Sequence, residues 1–398
     1  MFASLTVKAP PVSSGSFDVQ RSQALHRRVR HFIYEHVSHG EASETFDAIA
    51  VDIAKHQHAS RTGIERLFES RNVDVQVIEH AAQIPAIPTD VFKLRRVACH
   101  PPDLDKVVFL TSGTTVGARG AHALRDAETY RMGARAWAAR MLHPDAESLH
   151  WVVLAPPYSE NPVSSLGFML DDLVNVTGRS VTWAVQDGKL DTDRIGMAVD
   201  AAMATGKPIM VAGASFAFVH LLDALGGRCF SLGPRGRAMQ TGGFKGKSRS
   251  VDGDALRGEI AFALGIDENR IVSEYGMTEL GSQAYEGRLR KALGSDGPED
   301  AFVAPPWMRV VAVREDSFEQ VGEGQVGIAR IEDLANVDSA VVIQTADRIR
   351  KCDGGFSLLG RSQNTTPRGC SIGIDEILQA REFSAGSNSM SFAQLAQP

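Results

Sequence analysis

Phe109-Leu-Thr-Ser-Gly-Thr-Thr-Val-Gly-Ala-Arg-Gly120 gives the clearest indication of the fold, because a short apolar run passes here directly into glycines and hydroxyls. The run 107–110 is predicted to be a strand, and six of the seven residues from Thr111 to Gly117 are Gly, Ser or Thr. Glycines let backbone N–H groups approach an anion closely, hydroxyls donate to phosphate oxygens, and Arg119 adds a charged donor. These features favour a phosphate-binding loop over a polar surface turn. The loop is not a Walker A motif, because no Gly-Lys-Ser/Thr closes it.

Short β-branched runs alternate with helical patterns on the C-terminal side of this loop. The helix opened by Asp126 repeats Tyr130, Ala134, Trp137 and Met141 on one apolar face. Further strands are predicted at 151–155, 180–184, 209–212 and 270–273. This alternation indicates an α/β fold around a largely parallel sheet.

The pattern changes after about residue 297. Short strands joined by tight turns are predicted there at 308–313, 325–331, 340–344 and 356–359. We therefore expect a core domain over residues 1–360, with a smaller β subdomain at about 300–360. Residues 361–398 are expected to form a separate C-terminal segment.

The composition is that of an ordinary soluble globular protein, with 398 residues of which 43% are apolar and 23% charged. The formal net charge of −6 argues against a nucleic acid as the main partner. No secretory signal is visible, and no apolar run reaches the ~20 residues that a membrane span needs. The four cysteines form no CxxC pair, so neither a disulfide framework nor a zinc site is expected. We expect a cytoplasmic protein.

Two later segments carry further nucleotide-binding chemistry. Thr241-Gly-Gly-Phe-Lys-Gly-Lys-Ser248 nearly matches a Walker A loop, but Thr241 stands where the first glycine is required. We interpret this segment as a nucleotide-lining loop that uses Gly242 and Gly243. In Ser273-Glu-Tyr-Gly-Met-Thr-Glu279, the Tyr-Gly pair offers an aromatic face for a base and a close backbone approach. The final glutamate of that segment offers one oxygen ligand for Mg²⁺.

Together these segments resemble the adenylate-forming enzymes, the superfamily of acyl-CoA ligases and peptide-synthetase adenylation domains. Residues 111–120 resemble its phosphate loop, and Tyr275–Glu279 matches its Tyr-Gly-x-Thr-Glu motif. Thr345-Ala-Asp347 is similar to its ribose-binding Thr-x-Asp motif, and Gly360-Arg361 to its interdomain hinge. The resemblance implies a large N-terminal domain of layered sheets and helices, with ATP and Mg²⁺ as cofactors and Glu279 as the metal ligand. The ATP-binding residues that it implies are Thr111, Ser112, Gly113, Thr114, Thr115, Gly117, Gly242, Gly243, Tyr275, Gly276, Thr278, Asp347 and Arg361.

Within the superfamily, the sequence most resembles the acyl-protein synthetase of bacterial luminescence. The supporting stretches are 84–93, 157–158, 164–166, 241–249 and Arg368-Gly-Cys-Ser371. That family is understood to form an acyl-adenylate and to pass the acyl group to a cysteine near its own C-terminus, from which a reductase subunit receives it. The resemblance therefore implies Cys370 as the acyl acceptor, and a reductase or carrier protein as an acyl-accepting partner. Arg119 and Thr115 are the other catalytic residues that it implies.

Two departures from the superfamily pattern bear on the adenylation step. Most members carry a lysine in the phosphate loop, whereas the nearby cation here is Arg119. The mobile C-terminal lid of the superfamily also supplies a catalytic lysine, yet this sequence ends at residue 398, 37 residues after Arg361, and its last lysine is Lys351. We therefore expect a truncated C-terminal region, and either a substitute cation at the α-phosphate or slow or lost adenylation. The candidate cations are Lys245, Lys247 and Arg368.

The predicted activity is ATP-dependent activation of a carboxylic acid, with a fatty acid as the leading substrate, followed by acyl transfer to Cys370. Two alternatives stay open. One is an enzyme that delivers an aryl, amino or fatty acid to coenzyme A or a carrier protein; the other is a non-catalytic relative that acts as a complex subunit. Asp171 and Asp172 are expected to face solvent or cap a local element. Four apolar side chains could line an acyl tunnel or belong to the plain core: Phe168, Met169, Phe216 and Phe218.

Overall fold

Several helices begin where a short polar side chain can cap them. Asp18, Thr45 and Ser164 each accept a hydrogen bond from a backbone N–H group in the first turn of the helix that follows. The computed structural model describes residues 17–111, 119–242 and 252–362. Its helices are α1 Val19–His39, α2 Phe46–Ala59, α3 Ile64–Ser70, α4 Val91–Leu94, α5 Glu128–Met141, α6 Ser165–Thr177, α7 Thr192–Met203, α8 Ser215–Leu225, α9 Gly253–Leu264 and α10 Arg288–Ala292.

The strands of the described residues are mostly short and buried. They are β1 Ile87–Pro88, β2 Val107–Leu110, β3 Ala121–Leu124, β4 Leu149–Val153, β5 Gly178–Trp183, β6 Val185–Gln186, β7 Lys189–Leu190, β8 Ile209–Ala214, β9 Arg237–Thr241, β10 Ile271–Tyr275, β11 Ala284–Glu286, β12 Phe302–Val303, β13 Met308–Val313, β14 Val326–Asp333, β15 Val342–Cys352 and β16 Gly355–Arg361. Twelve of them form one sheet, in the order β13-β14-β15-β16-β12-β11-β10-β9-β8-β4-β5, with β1 beside β15.

Along its main strand order the sheet is parallel in one half and antiparallel in the other, and β1 pairs with β15 in parallel. Neighbouring strands run parallel from β5 to β10 and antiparallel from β10 through β11, β12, β16, β15 and β14 to β13. The predicted α/β class is confirmed, but the predicted largely parallel sheet is corrected to a mixed one. The strands assigned to a β subdomain continue this same sheet through β12 and β11. The division of the chain into residues 1–360 and 361–398 stays a prediction.

Strand positions follow the apolar runs closely where side chains are β-branched. β2 and β13 have the predicted bounds, and the other predicted strands overlap β4, β5, β8, β10, β14, β15 and β16. The sequence does not reveal β9, because Arg-Ala-Met-Gln-Thr lacks the apolar run of a central strand. Its five residues are nevertheless all buried, and Arg237 is paired there with Asp145 at 2.6 Å.

Two apolar cores lie on opposite faces of the parallel strands. Along β4 and the residue after it, Trp151 and Val153 belong to one core while Val152 and Leu154 belong to the other, as the alternation of side chains in a strand requires. The first core includes α1, α2, α5, α6 and the strands β13 to β15, and the second includes α7, α8 and α9. Of the four candidate tunnel residues, three are buried in these cores and Phe216 is partly buried.

Asp172 is buried, which corrects the expectation that it faces solvent. It lies on the side of α6 that packs against α5, where Arg135 donates to its two carboxylate oxygens at 2.7 and 2.6 Å. Asp171 stays on the helix surface and accepts a hydrogen bond from Asn175.

A buried polar cluster ties the N-terminal helices to the chain after β14. The carboxylate of Asp338 accepts hydrogen bonds from Ser22 and His26 on α1, His56 on α2, and Arg125 after β3. Burial by itself would raise the pKa of Asp338, but the hydrogen bonds from His26 and His56 hold it well below its usual range. Asp338 is therefore ionised and surrounded by donors.

Candidate active site

The base of the predicted phosphate loop is closed by paired hydrogen bonds. The Thr111 N–H group donates to the Gly120 carbonyl oxygen at 2.8 Å, and the Gly120 N–H group donates to the Thr111 hydroxyl at 2.8 Å. Arg119 donates from Nε to the Thr111 carbonyl oxygen at 2.6 Å and from Nη2 to that of Leu110 at 3.2 Å. Arg119 thus fixes the end of β2, and its contact with a phosphate stays a prediction.

Part of the predicted site lies outside the described residues. The predicted residues in this group are Ser112, Gly113, Thr114, Thr115, Gly117, Gly243, Lys245, Lys247, Arg368 and Cys370. The three cysteines of the described chain are free thiols, of which Cys99 is buried and Cys229 is exposed. Burial raises the pKa of the Cys99 thiol to about 12, so Cys99 is protonated and a poor nucleophile.

Tyr275 and Arg361, from two separate motifs, both contact the carboxylate of Asp347, which belongs to a third motif. The Tyr275 hydroxyl donates to Oδ2 of Asp347 at 2.9 Å, and Nε of Arg361 lies 3.1 Å from Oδ1. Asp347 and Arg361 face each other in the register of β15 and β16. The ring of Tyr275 packs against Phe302 and Phe356, with centroid distances of 5.9 and 5.4 Å. The structure therefore brings together the residues predicted to bind the base and the ribose.

Two glycines of the predicted motifs have a local reason to be glycine. A Cβ built at Gly276 would overlap Oε1 of Glu274, so a side chain there would displace a buried carboxyl group. Gly360 has a φ of 94°, in the left-handed region that favours glycine. Gly360 directly precedes Arg361, so its conformation helps to set where that guanidinium lies.

The loop that follows Tyr275 is held by side chains from other elements. Nδ1 of His122, on β3, lies 2.8 Å from the Thr278 carbonyl oxygen. Nδ2 of Asn336 donates to the Glu279 carbonyl oxygen at 3.0 Å. Asp333 accepts from the Gly281 N–H group at 2.8 Å. Thr278 and Glu279 are therefore positioned by residues more than 50 positions away in the chain.

The electrostatics of these supports follow from burial. Desolvation lowers the pKa of His122 to about 4, so the imidazole is neutral at pH 7. A carbonyl oxygen only accepts, so Nδ1 carries the proton and Nε2 accepts from the Ser339 hydroxyl at 3.0 Å. Burial also raises the pKa of Asp333 to about 6, an effect that donors such as the Ser282 hydroxyl reduce.

Glu279, the predicted metal ligand, lies in this loop and is buried at 7% exposure. Within the described ranges, no group of three or more His, Cys, Asp or Glu side chains is arranged to hold a metal. A single carboxylate suits Mg²⁺ that arrives with a nucleotide, because Mg²⁺ commonly takes one or two protein carboxylates and completes its shell with phosphates and water. The donor set thus fits MgATP, and the role of Glu279 stays a prediction.

The ends of the parallel strands add groups that sequence reasoning missed. Glu274 is buried at the end of β10, and the Thr241 hydroxyl at the end of β9 donates to its Oε2. Ser215, the first residue of α8, donates to the Gly242 carbonyl oxygen at 2.8 Å. Among the supporting residues that were missed, Asp333 and Asn336 had a sequence signal, since polar residues recur from 332 to 339, after the predicted strand 325–331. His122 had none.

The chain has the fold of the adenylate-forming ligases. The structure of 2-hydroxyisobutyryl-CoA ligase in an open conformation, in complex with 2-HIB-AMP and CoA, is similar with a TM-score of 0.56. The match covers 91% of this chain and 82% of that one, at 12% identity, which shows a shared fold alone. Within this class, a family model described as acyl-protein synthetase, LuxE, matches residues 34–379, and the chain belongs to that family.

Other solved structures match over a shorter length. ATP-bound MatB from Rhodopseudomonas palustris has a TM-score of 0.46 at 14% identity, over 66% of this chain and 49% of that chain. The amide bond synthetase McbA from Marinactinospora thermotolerans has a TM-score of 0.42 at 18% identity, over 65% and 49%. The matched part is thus about half the length of these two proteins. No curated protein is significantly similar in sequence. Among the described helices, none combines the length and the apolar character needed to cross a membrane.

Proposed function

We propose that this protein activates a carboxylic acid with ATP, forms an acyl-adenylate with release of pyrophosphate, and transfers the acyl group to a thiol. The observation that carries the proposal is the meeting of Tyr275, Asp347 and Arg361, which places the three matching motifs at one point in a member of the acyl-protein synthetase family. The exposed Arg361 contributes little stability through its ion pair. Its place beside Asp347 therefore supports a role in binding ATP.

The first step joins two anions. A carboxylate oxygen attacks the α-phosphorus of ATP, the new P–O bond forms, and the bond to pyrophosphate breaks. The acid is already ionised at neutral pH, because its pKa is about 4–5, and no general base is needed. The protein must therefore position the reactants and offset the negative charge that develops. We propose that the phosphate loop and Arg119 do this, and that a Mg²⁺ ion, which Glu279 would help to hold, would supply further positive charge.

The second step needs a thiolate. Its sulfur attacks the acyl carbon of the acyl-adenylate, a thioester forms, and AMP leaves with the electron pair of the broken C–O bond. We propose Cys370 as this nucleophile, with Arg368 lowering its pKa. In this proposal the core domain ends near residue 360, and residues 361–398 form a separate segment that carries the acyl-accepting cysteine. A reductase or carrier protein would receive the acyl group next, and we propose that the protein works in the cytoplasm.

Acid-dependent ATP–pyrophosphate exchange tests the first step. With Mg²⁺ and a panel of fatty, aryl and amino acids, we expect exchange with one class of acid. Asp347→Asn removes the charge that Tyr275 and Arg361 contact, so exchange should fall by roughly tenfold or more. Asp353→Asn, an exposed change on the same hairpin, should leave it unaltered. Absence of exchange across the panel, with ATP bound by calorimetry, would contradict the proposal and favour a subunit role.

A labelled acid distinguishes the acceptors. Incubation with ATP should leave the label on the protein in a form that hydroxylamine releases, and Cys370→Ser should abolish that labelling while exchange continues. Cys229→Ser, at the exposed cysteine of the described chain, is the matched control and should label normally. Normal thioester yield from Cys370→Ser with coenzyme A or a carrier protein would assign the acceptor to that partner instead.

A further inference from the structure

Glu274 precedes Tyr275 on β10, and the two side chains point to opposite faces because a strand alternates. Tyr275 contacts Asp347, on the side proposed to bind ATP. Glu274 instead contacts the Thr241 hydroxyl. After burial itself, the negative charge of Glu274 is the largest cause that raises the pKa of Tyr130 and of Tyr285. Glu274 is therefore a buried carboxyl group next to the residue that lies on the side proposed to bind ATP.

The carboxyl group of Glu274 has no positively charged partner among the described residues, whereas comparable buried glutamates do. Glu286 pairs with Arg257 at 2.9 Å, and Glu332 pairs with Arg330. No cation of the described chain forms an ion pair with Glu274, whose one hydrogen-bond donor there is a neutral hydroxyl. Burial raises the pKa of Glu274 to about 7, and the Thr241 bond only partly offsets this. Buried charges are normally paired, so this carboxylate is suited to a positively charged group.

Glu274 lies at the carboxyl end of the parallel strands. β8, β9 and β10 run parallel and end side by side at Ala214, Thr241 and Tyr275. In sheets of this kind, ligands bind at the carboxyl ends of the strands. An acid that reacts with ATP must bring its carboxylate to the edge where Tyr275 lies. A substituent on the carbon next to that carboxylate would then be close to the preceding residue, Glu274.

We propose that Glu274 binds the ammonium group of the acid substrate, so that the enzyme selects an amino acid over an unsubstituted acid of the same chain. The inference rests on the proposed adenylation and narrows its substrate class, away from the fatty acid that the family resemblance implies. The ammonium group would neutralise the buried carboxylate, while an unsubstituted chain would leave it unpaired. Glu274 is thus a specificity-determining residue.

Matched acids test this selection in the exchange assay. Hexanoate, 2-hydroxyhexanoate and 2-aminohexanoate differ only at the second carbon, and 3-phenylpropanoate with phenylalanine forms an aromatic pair. We expect the amino acid of each set to have a kcat/KM roughly tenfold or more above that of the unsubstituted acid. Glu274→Gln keeps the size of the side chain and its hydrogen bond to Thr241 but removes the charge. It should lose that preference through a fall in kcat/KM for the amino acid, while the exposed Glu323→Gln control keeps the preference.

The possible outcomes separate the two proposals. Exchange that favours unsubstituted acids in the wild type, or a preference that survives Glu274→Gln, would overturn the role of Glu274 and leave adenylation intact. Equal preference for the hydroxy and amino acids would overturn recognition of an ammonium charge. Absence of exchange with every acid would count against the proposed function itself. If circular dichroism shows that Glu274→Gln does not fold, the preference of the wild-type enzyme between the amino, hydroxy and unsubstituted acids still tests recognition of an ammonium group.

Discussion

At the scale of single residues, the site depends on side chains whose partners are also protein groups. Asp347 is predicted to hold the ribose, yet both of its carboxylate oxygens already have protein partners. Tyr275 donates a hydrogen bond to one oxygen, and Arg361 forms an ion pair with the other. Burial, followed by the negative charge of Asp347, raises the pKa of Tyr275 well above its usual value, so the hydroxyl stays protonated and can only donate to the carboxylate. The hydroxyl therefore fixes the orientation of Asp347 before a nucleotide arrives.

Tyr275→Phe should weaken ATP binding about fivefold, because one hydrogen bond to a carboxylate oxygen is lost, at a cost of about 1 kcal/mol. Isothermal titration calorimetry with MgATP measures the change. Tyr285→Phe is the matched control, because that buried hydroxyl contacts the Met169 sulfur at 3.7 Å and does not contact Asp347. Unchanged or tighter binding by Tyr275→Phe would mean that the hydroxyl competes with ribose for Asp347.

At the scale of elements, the loop between β10 and β11 is positioned from outside. β3 supplies His122, and the chain after β14 supplies Asp333 and Asn336. These contacts join the antiparallel hairpin β2–β3 to the parallel half of the sheet. Since β2 also leads into the predicted phosphate loop, β2–β3 connects the two motifs proposed to bind ATP.

The neutral His122 makes this connection sensitive to acid. The unfolded chain takes up a proton near pH 6.5 and the folded chain only near pH 4, so stability falls as the pH drops through that interval. Between pH 7 and 5 the cost is about 2 kcal/mol. His122→Gln keeps a donor for Thr278 and an acceptor for Ser339 without titrating, so its loss of stability over the interval should be smaller by that amount. Urea denaturation at both pH values measures the difference.

Comparing the wild type with His122→Gln isolates the effect of His122 on folding stability from that of groups with the opposite pH dependence. Glu274 and Asp333 have raised pKa values, near 7 and 6, so protonation of the folded chain favours folding as the pH falls. Both groups are present in the wild type and the variant. An identical pH dependence for the two proteins would contradict the assignment of a neutral, buried His122.

At the scale of the whole molecule, the N-terminal helices and the C-terminal strands share one core. That core contains residues of α1 and α2 as well as of β13, β14 and β15. The Asp338 cluster adds a polar connection at the same place, between helices near the start of the described chain and the segment after β14. The ends of the described chain are therefore held together by both apolar and charged contacts.

Asp338→Asn should lower the free energy of unfolding by about 3–5 kcal/mol, because it leaves Arg125, whose side chain is only 10% exposed, without its counter-charge. Tryptophan fluorescence and far-ultraviolet circular dichroism should report the same shift in urea, since the cluster joins parts of one core. Asp171→Asn, on the surface of α6, should change stability by less than about 0.5 kcal/mol. Two separated transitions would contradict the shared core and favour independent domains.

Local sequence patterns predicted the α/β class, the approximate position of most strands and the motifs that identify the family. They could do so because apolar periodicity and the residue types of a nucleotide-binding loop are local properties of the chain. The sequence did not predict that Tyr275 meets Asp347 and Arg361, that His122 supports Thr278, or that β9 lies inside the sheet between β8 and β10. These relations depend on strand order and on pairs of residues far apart in sequence. For the same reason, the missing counter-charge of Glu274 emerged only once its neighbours were in place.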